Sequence, residues 1–279
     1  MNRVEQIYVI LPTFNNEKTI QRAIESVINQ DYDGYLSLIV VANGCTDNTV
    51  NVANQSKFAY YASEKKSYKR RFEIEVSEQK GVVASFNKGL EVASYMHTWA
   101  DETMLLPDKT WICRMDADDL WHPNKLSKQI EFLNANPDID ILGTQMNLCH
   151  YGEYGYDFHG ATRNPCDHDT IVRFMLNGSN VIANPSAIYK WDVMTKAGRL
   201  EDIFPYAEDY WFWMKALITG HKFANLPLAL MDYDEGPIHT EEGMRAHLNK
   251  PHSNPEIGQS VAQVGNFILH YNQKFPKKW

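Results

Sequence analysis

The sequence lacks the usual marks of a disulfide-stabilised, membrane-spanning or nucleic-acid-coating protein. It has four scattered cysteines in 279 residues and no Cys-x-x-Cys pair, and its 35 acidic residues outnumber its 27 basic residues. These features argue against a disulfide framework, a cysteine-based zinc site and non-specific nucleic-acid binding. No apolar run approaches the roughly 18 residues of a membrane span, and the run before Pro12 is too short for a signal peptide. We therefore expect a cytoplasmic protein with reduced thiols.

Apolar segments alternate with amphipathic segments through the first half of the chain. Apolar or alternating runs at 7–11, 36–41, 72–76 and 110–115 predict strands, and the first is continuous, as in a strand buried on both faces. Helical periodicity follows after the first strand and again near residue 83. The order β-α-β-α-β-α-β predicts an α/β fold with a doubly wound, mostly parallel central sheet flanked by helices.

The second half is predicted to be less regular. Its patterns indicate a helix, a strand, a loop and a second helix, at 124–134, 139–146, 150–168 and 208–219. A separate amphipathic stripe after Asn254 predicts a helical tail. We therefore divide the chain into a domain at 1–240, with halves at about 1–120 and 121–240, and a C-terminal helical extension at 241–279.

An acidic cluster follows the strand predicted at 110–115. Asp116, Asp118 and Asp119 lie within four residues, so their charges repel unless solvent or a cation compensates them. Mg²⁺ prefers oxygen ligands and often sits between one or two carboxylates and substrate phosphates. Acids at the carboxyl end of a buried strand also lie where open α/β sheets bind ligands. The alternative is a turn in which Asp119 caps a helix that begins near Pro123.

A second acidic pair, Glu208-Asp209, begins an aromatic-rich helix. A carboxylate here could accept a proton from a hydroxyl group if its surroundings raised its pKa toward the working pH. The alternative is that both acids only interact favourably with the helix dipole. The neighbouring Trp211 and Trp213 are more typical of a core than of a sugar-stacking surface.

Six segments occur in the order found in family 2 glycosyltransferases with the GT-A fold. They are VILPTFNNEKTIQRAIESVINQ at 9–30, VVANGCTDNT at 40–49, KGVVASFNKGL at 80–90, MDADDLWHPNKLSKQIEFL at 115–133, ANPSAIYK at 183–190 and EDYWFWMKALITGHKFANLP at 208–227. The chain resembles that family over most of residues 7–233. The resemblance implies metal-dependent transfer of a sugar, with inversion, from a nucleoside-diphosphate donor to a hydroxyl of a glycan or lipid-linked acceptor. We expect a UDP-linked donor and Mn²⁺ or Mg²⁺ as cofactor.

The resemblance also implies roles by position. Asp209 would be the general base, with Glu208 beside it as a residue that orients the site. Asp116 and Asp118 would bind the metal, and His239, displaced from the family's position, would be a candidate third metal or phosphate contact. The implied nucleotide contacts are Pro12, Thr13, Asn15, Glu17, Asn43, Asp47, Gly81, Asn87, Asp116 and Ala117.

The sequence departs from the family pattern at three places. Ala42-Asn43 stands where two acids are common, Asn184 where histidine is common, and Tyr233-Asp234 where Tyr-Arg-x-His is common. These changes leave the donor base, the acceptor contact and the role of His239 open.

Two other functions remain as alternatives. One is a non-catalytic sugar-nucleotide-binding protein, which a donor-hydrolysis assay would distinguish. The other is a nucleotidyltransferase, for which the loop PTFNNEKT lacks the expected glycines and basic cluster. Nucleic acid is not an expected partner. Peripheral membrane contact and homo-oligomerisation through the tail helix are further hypotheses.

Overall fold

The computed structural model describes residues 6–64, 66–99, 109–152, 155–204 and 207–235, together with Gln263. The strands are β1 (Gln6–Thr13), β2 (Tyr35–Asn43), β3 (Arg70–Ser77), β4 (Thr110–Arg114), β5 (Leu120–Trp121), β6 (Ile141–Gly152), β7 (Gly155–Ala161), β8 (Ile188–Lys190) and β9 (Phe223–Asp234). The helices are α1 (Ile20–Ile28), α2 (Thr49–Ala62), α3 (Val82–Trp99), α4 (Lys125–Ala135), α5 (His168–Leu176), α6 (Trp191–Ala197) and α7 (Glu208–Ile218). A short 3-10 helix spans Asn184–Ser186.

The strands form one mixed sheet in the order β3-β2-β1-β4-β8-β6-β9-β5, with β7 paired to β6. The first four strands in this order are parallel. Strand β8 runs antiparallel to both β4 and β6, and β9 is parallel to β6. The doubly wound, mostly parallel sheet predicted from the sequence is therefore confirmed.

Strand β1 is buried along its whole length because helices cover both faces of the sheet. Ile7, Val9 and Leu11 face a core that contains α1 and α4, whereas Tyr8 and Ile10 face a core that contains α3 and α7. Each fully buried aliphatic side chain contributes on the order of 1.5–3 kcal/mol. This explains why the run at 7–11 is apolar without alternation.

Close packing of α3 on β1 depends on a glycine. A Cβ atom built at Gly89 would lie 2.4 Å from Ile10 Cγ2. That separation is far shorter than a van der Waals contact, so a larger residue would push the helix away from the strand. The close approach holds the start of α3 beside the carboxyl ends of the parallel strands.

The second half contains more regular structure than its sequence indicates. The loop predicted at 150–168 is wrong in part, because β6 extends to Gly152 and β7 pairs with it as a hairpin. The glycines and exposed aromatic side chains of β7 obscure the alternation that normally indicates a strand. His239 lies outside the described residues, as does the predicted extension at 241–279 apart from Gln263.

Among the residues that the structure describes, no helix combines the length and the apolar composition needed to cross a membrane.

Candidate active site

A cleft of about 410 Å³ opens at the carboxyl ends of β1, β2 and β4. From β1 the chain proceeds to β2 and β3 on one side, and β4 then pairs with the other side of β1. Such a change of direction leaves a crevice where open α/β sheets bind ligands. The cleft is lined by Pro12, Thr13, Phe14, Asn16, Asn43, Lys80, Gly81, Val82, Ser85, Arg114, Asp116, Ala117 and Asp118.

The structure brings together seven of the residues that the sequence assigns to donor or metal binding. Those that line the cleft are Pro12, Thr13, Asn43, Gly81, Asp116, Ala117 and Asp118. Phe14, Lys80 and Arg114 line it as well, although sequence reasoning did not select them. Of these three residues, only Arg114 stands out in the sequence, as a charged residue at the end of a mostly apolar strand.

Three other predicted nucleotide contacts tie two loops together beside the cleft. Asn15 Oδ1 accepts a hydrogen bond from the Thr46 backbone N–H over 2.8 Å. Glu17 Oε2 accepts from the Asn48 N–H over 2.9 Å, and Asp47 Oδ2 accepts from the Glu17 N–H over 3.1 Å. These contacts connect the loop after β1 to the loop after β2, so the three residues shape the cleft's edge without lining it.

Asn87 is placed elsewhere. It lies on α3 beside a neighbouring pocket, and its Nδ2 donates to the Leu200 carbonyl over 2.9 Å. The structure therefore does not bring Asn87 into the lining of the cleft.

Asn43 presents a polar atom at the base of the cleft. Its side-chain Nδ2 donates to the Gly81 carbonyl over 3.0 Å, while its buried Oδ1 has no hydrogen-bond partner within the described structure. Buried amide oxygens are normally satisfied. An N–H group of a bound base would satisfy this one.

The acids after β4 have distinct surroundings. Asp118 is exposed at the cleft, but the protein around its carboxylate partly excludes water, and this desolvation, followed by the nearby Asp116 carboxylate, raises its pKa to about 6. Burial, reinforced by its acidic neighbours, also raises the pKa of Asp119 well above its usual value. Asp119 Oδ1 accepts from the Asp234 N–H over 3.1 Å, and Asn124 occupies the N-cap position of α4, without a capping hydrogen bond from its side chain. Asp119 is therefore not the helix cap of the alternative interpretation.

Arg22 fixes the backbone of this acidic turn. Its Nη2 donates to the Asp118 carbonyl over 2.6 Å and to Asp234 Oδ2 over 2.7 Å. The guanidinium carbon also lies 4.3 Å from the centre of the Tyr151 ring. These contacts join α1 to the ends of β6 and β9 behind the cleft.

Asp209 lies in the first turn of α7. Its Oδ2 accepts a hydrogen bond from Asn180 Nδ2 over 2.9 Å. Burial, followed by the adjacent Glu208 carboxylate, raises the pKa of Asp209 to about 7, although Arg114 opposes the rise. A carboxyl group that titrates near neutral pH suits proton transfer.

The aromatic residues that follow Asp209 belong to the core. Trp213 is fully buried and Trp211 is 8% exposed. Trp213 Nε1 donates to the Ile182 carbonyl over 2.9 Å. The prediction that both tryptophans belong to the core is confirmed, and neither ring is exposed enough to stack on a sugar.

Within the described ranges, no group of three or more His, Cys, Asp or Glu side chains is arranged to hold a metal ion. A two-carboxylate arrangement still matches the way Mg²⁺ is bound when substrate phosphates complete its coordination. Asp116 and Asp118 are the pair at the cleft that could act in this way.

Residues 8–190 match the model of the family named Glycosyl transferase family 2. The chain belongs to this family. As a family 2 glycosyltransferase it is an α/β protein whose matched region includes the cleft and the acids after β4.

Two curated relatives are similar over most of the chain. An uncharacterized glycosyltransferase of Haemophilus influenzae is 29% identical over 240 residues, which make up 84% of this chain and 66% of that protein. The O-antigen biosynthesis glycosyltransferase WbnJ of Escherichia coli is 26% identical over 88% of this chain and 84% of its own length. The chain thus spans about two thirds of the first relative.

Solved structures share the GT-A fold. S. aureus TarS 1-349 in complex with UDP-GlcNAc superposes with a TM-score of 0.62 at 18% identity, covering 93% of this chain and 66% of the TarS 1-349 chain. Glucosyl-3-phosphoglycerate synthase from Mycobacterium tuberculosis, in complex with Mn²⁺, UDP and phosphoglyceric acid, gives a TM-score of 0.54 at 15% identity. It covers 94% of this chain and 78% of the synthase.

Proposed function

We propose that this glycosyltransferase moves a sugar from a UDP-linked donor to a hydroxyl of a glycan or lipid-linked acceptor, with inversion. The observation that carries the proposal is the meeting of two acidic groups at one edge of the sheet. Asp116 and Asp118 lie in the cleft, and Arg114 bonds to Asp116 and lies 3.6 Å from Glu208, the residue before Asp209. The UDP-GlcNAc in TarS and the O-antigen role in the name of WbnJ support these classes of donor and acceptor.

The residues of the cleft fit a donor diphosphate with its metal. Asp118 is crowded by other acids, and this crowding contributes to the rise in its pKa. A divalent cation would relieve that repulsion. Asp116 and Asp118 would hold Mn²⁺ or Mg²⁺, which would supply a Lewis acid for the charge that develops on the leaving diphosphate. Lys80, at the cleft wall, would add positive charge near the phosphates.

Asp209 supplies the second chemical requirement. A direct displacement forms a bond between the acceptor oxygen and the anomeric carbon as the bond to the diphosphate breaks. The acceptor proton passes to Asp209, whose pKa of about 7 lets the carboxylate exist at neutral pH and still accept a proton. A single displacement from the opposite face gives inversion.

The assignment of Asn15, Glu17, Asp47 and Asn87 to nucleotide binding remains a prediction, as does that of His239 to the metal. A cytoplasmic location, peripheral membrane contact and assembly through the tail also remain predictions. The non-catalytic alternative would keep donor binding and lose turnover.

A panel of nucleotide sugars tests the proposal. UDP-glucose, UDP-galactose, UDP-GlcNAc and GDP-mannose would each be incubated with the protein and Mn²⁺, and release of the nucleoside diphosphate would be followed with and without candidate glycan acceptors. We expect turnover with a UDP sugar. Tight binding without turnover across the panel and the acceptors would support the non-catalytic alternative, and turnover with GDP-mannose alone would correct the donor base.

A further inference from the structure

Arg114 lies between the proposed metal-binding acid and the proposed base. Its Nε donates to Asp116 Oδ1 over 2.7 Å, and its Nη2 donates to Asp116 Oδ2 over 3.1 Å. The remaining nitrogen, Nη1, is 3.6 Å from Oε1 of Glu208, the residue before Asp209. Both carboxylates therefore contact one guanidinium group.

The position of Arg114 makes this connection rigid. It is the last residue of β4, a strand paired on both sides, and only 11% of its side chain is exposed. Arginine keeps its proton in proteins. The side chain is thus a permanent positive charge at the meeting point of β4 and α7.

A guanidinium group can do this in a way that an ammonium group cannot. Its planar fork matches the two oxygens of one carboxylate and leaves a further nitrogen for a second partner. The two hydrogen bonds fix the plane of the Asp116 carboxylate, and the third nitrogen faces the first turn of α7. Lysine would preserve the charge but lose the fork.

We propose that Arg114 is a positioning residue that fixes the Asp116 carboxylate relative to the first turn of α7, so that donor and base keep one geometry. The inference rests on the proposed function, because it concerns how the two halves of that site are aligned. It assigns to Arg114 no contact with the reacting atoms.

The fork and the charge of Arg114 have separable effects. The charged groups that act on Asp209 are Glu208 and Arg114, and Asn180 and the Tyr210 N–H donate hydrogen bonds to it. Removing the positive charge would make deprotonation of Asp209 harder. Removing only the fork would loosen Asp116 while leaving this electrostatic effect in place.

Arg114→Lys and Arg114→Gln separate the two effects. Calorimetry with UDP and Mn²⁺ would measure binding without turnover. Hydrolysis of the best donor from the panel would give kcat, KM and the pH profile. For Arg114→Lys we expect Mn²⁺ affinity to fall about 10–100-fold, as when an outer-shell partner of a metal ligand is lost. We expect kcat to fall more than KM rises, with an unchanged acid limb of the pH profile.

For Arg114→Gln we expect the same loss of Mn²⁺ affinity together with a second effect. The acid limb should move to higher pH by about one unit, the lower end of the effect of a close opposite charge. If Arg114→Gln does not fold, the weaker Mn²⁺ binding of Arg114→Lys decides the question.

Arg70→Gln is the matched control. Arg70 begins β3, at the opposite end of the strands from the cleft, and donates to the Gly34 carbonyl over 2.6 Å. If removing any partly buried arginine disturbed folding and thereby activity, Arg70→Gln would also lose Mn²⁺ affinity and kcat. If the losses come from misaligned acids, Arg70→Gln should keep both. Wild-type Mn²⁺ affinity and kcat in both Arg114 variants would overturn this inference and leave the proposed function intact. A wild-type protein that neither binds UDP nor releases it from any donor would overturn the proposed function, and the inference with it.

Discussion

The side-chain amide of Asn180 donates a hydrogen bond to Asp209 Oδ2 over 2.9 Å. Asn180 follows α5, and Asp209 lies in the first turn of α7, so the contact joins two segments that are separate in the sequence. The donated hydrogen bond stabilises the carboxylate form, which opposes the rise in the pKa of Asp209 caused by burial. The contact also restricts the direction in which the carboxylate points.

Asn180→Ala should raise the pKa of Asp209 further and lower kcat several-fold at pH 7. The acid limb of the pH profile would move upward because the carboxylate loses a donor. Asn177→Ala, an exposed position in the same turn, is the control. Identical profiles for wild type and Asn180→Ala would mean that this hydrogen bond does not act on the catalytic group.

The wild-type rate should depend on pH through Asp209. Its pKa of about 7 lies above the usual value of 3.8. The group is therefore protonated and inactive as a base below pH 7, and it is ionised and active above that pH. At saturating Mn²⁺, kcat/KM should fall about tenfold per pH unit below 7 and level off above it. A flat profile between pH 5 and 8 would contradict this role.

Donor binding should depend on a divalent cation through Asp118. Calorimetry of UDP with Mn²⁺ should give an affinity at least about tenfold higher than in EDTA, because carboxylates and phosphates share the ion. Asp118→Asn should lose most of that difference. Asp202→Asn, an exposed acid in the turn before α7, should keep it. Equal UDP affinity with and without metal would exclude this mode of binding.

Arg22 should contribute strongly to stability. Its partner Asp234 is 7% exposed, so Arg22→Ala would leave a buried carboxylate without its main positive charge. We expect a loss of about 2–3 kcal/mol in the free energy of unfolding, measured by urea denaturation.

The surface pair between Arg71 and Glu73 gives the comparison for Arg22. Its side chains are 58% and 34% exposed. Arg71→Ala should therefore cost less than about 1 kcal/mol. Similar losses in the two variants would show that burial does not set the energy of the Arg22 pair.

Local patterns explain which elements could be predicted from the sequence. Strand β1 is buried on both faces, so it is continuously apolar, and α1 buries one face, so its apolar residues recur with helical period. Strands β5 and β8 have two and three residues, too few for a period to show. Strand β7 is longer, but its glycines interrupt the alternation that would have indicated a hairpin.

The site was predictable where it consists of one local motif. Asp116 and Asp118 follow a recognisable strand and do line the cleft. Contacts between distant segments left little local trace. No pattern in the sequence indicates that Arg114 contacts both Asp116 and Glu208, or that Asn180 donates to Asp209. These contacts depend on how β4, α5 and α7 pack, which a single sequence does not display.

The most direct test of the account compares Asp209→Asn with Glu208→Gln. Both are close in shape to the native residue, and both lose a carboxylate in the same helical turn. With the best donor and Mn²⁺, Asp209→Asn should bind UDP as wild type does, while turnover falls roughly 10²–10⁴-fold, the range expected for loss of a general base. Glu208→Gln should lose less activity. Near wild-type turnover by a folded Asp209→Asn would contradict the central claim that Asp209 accepts the acceptor's proton.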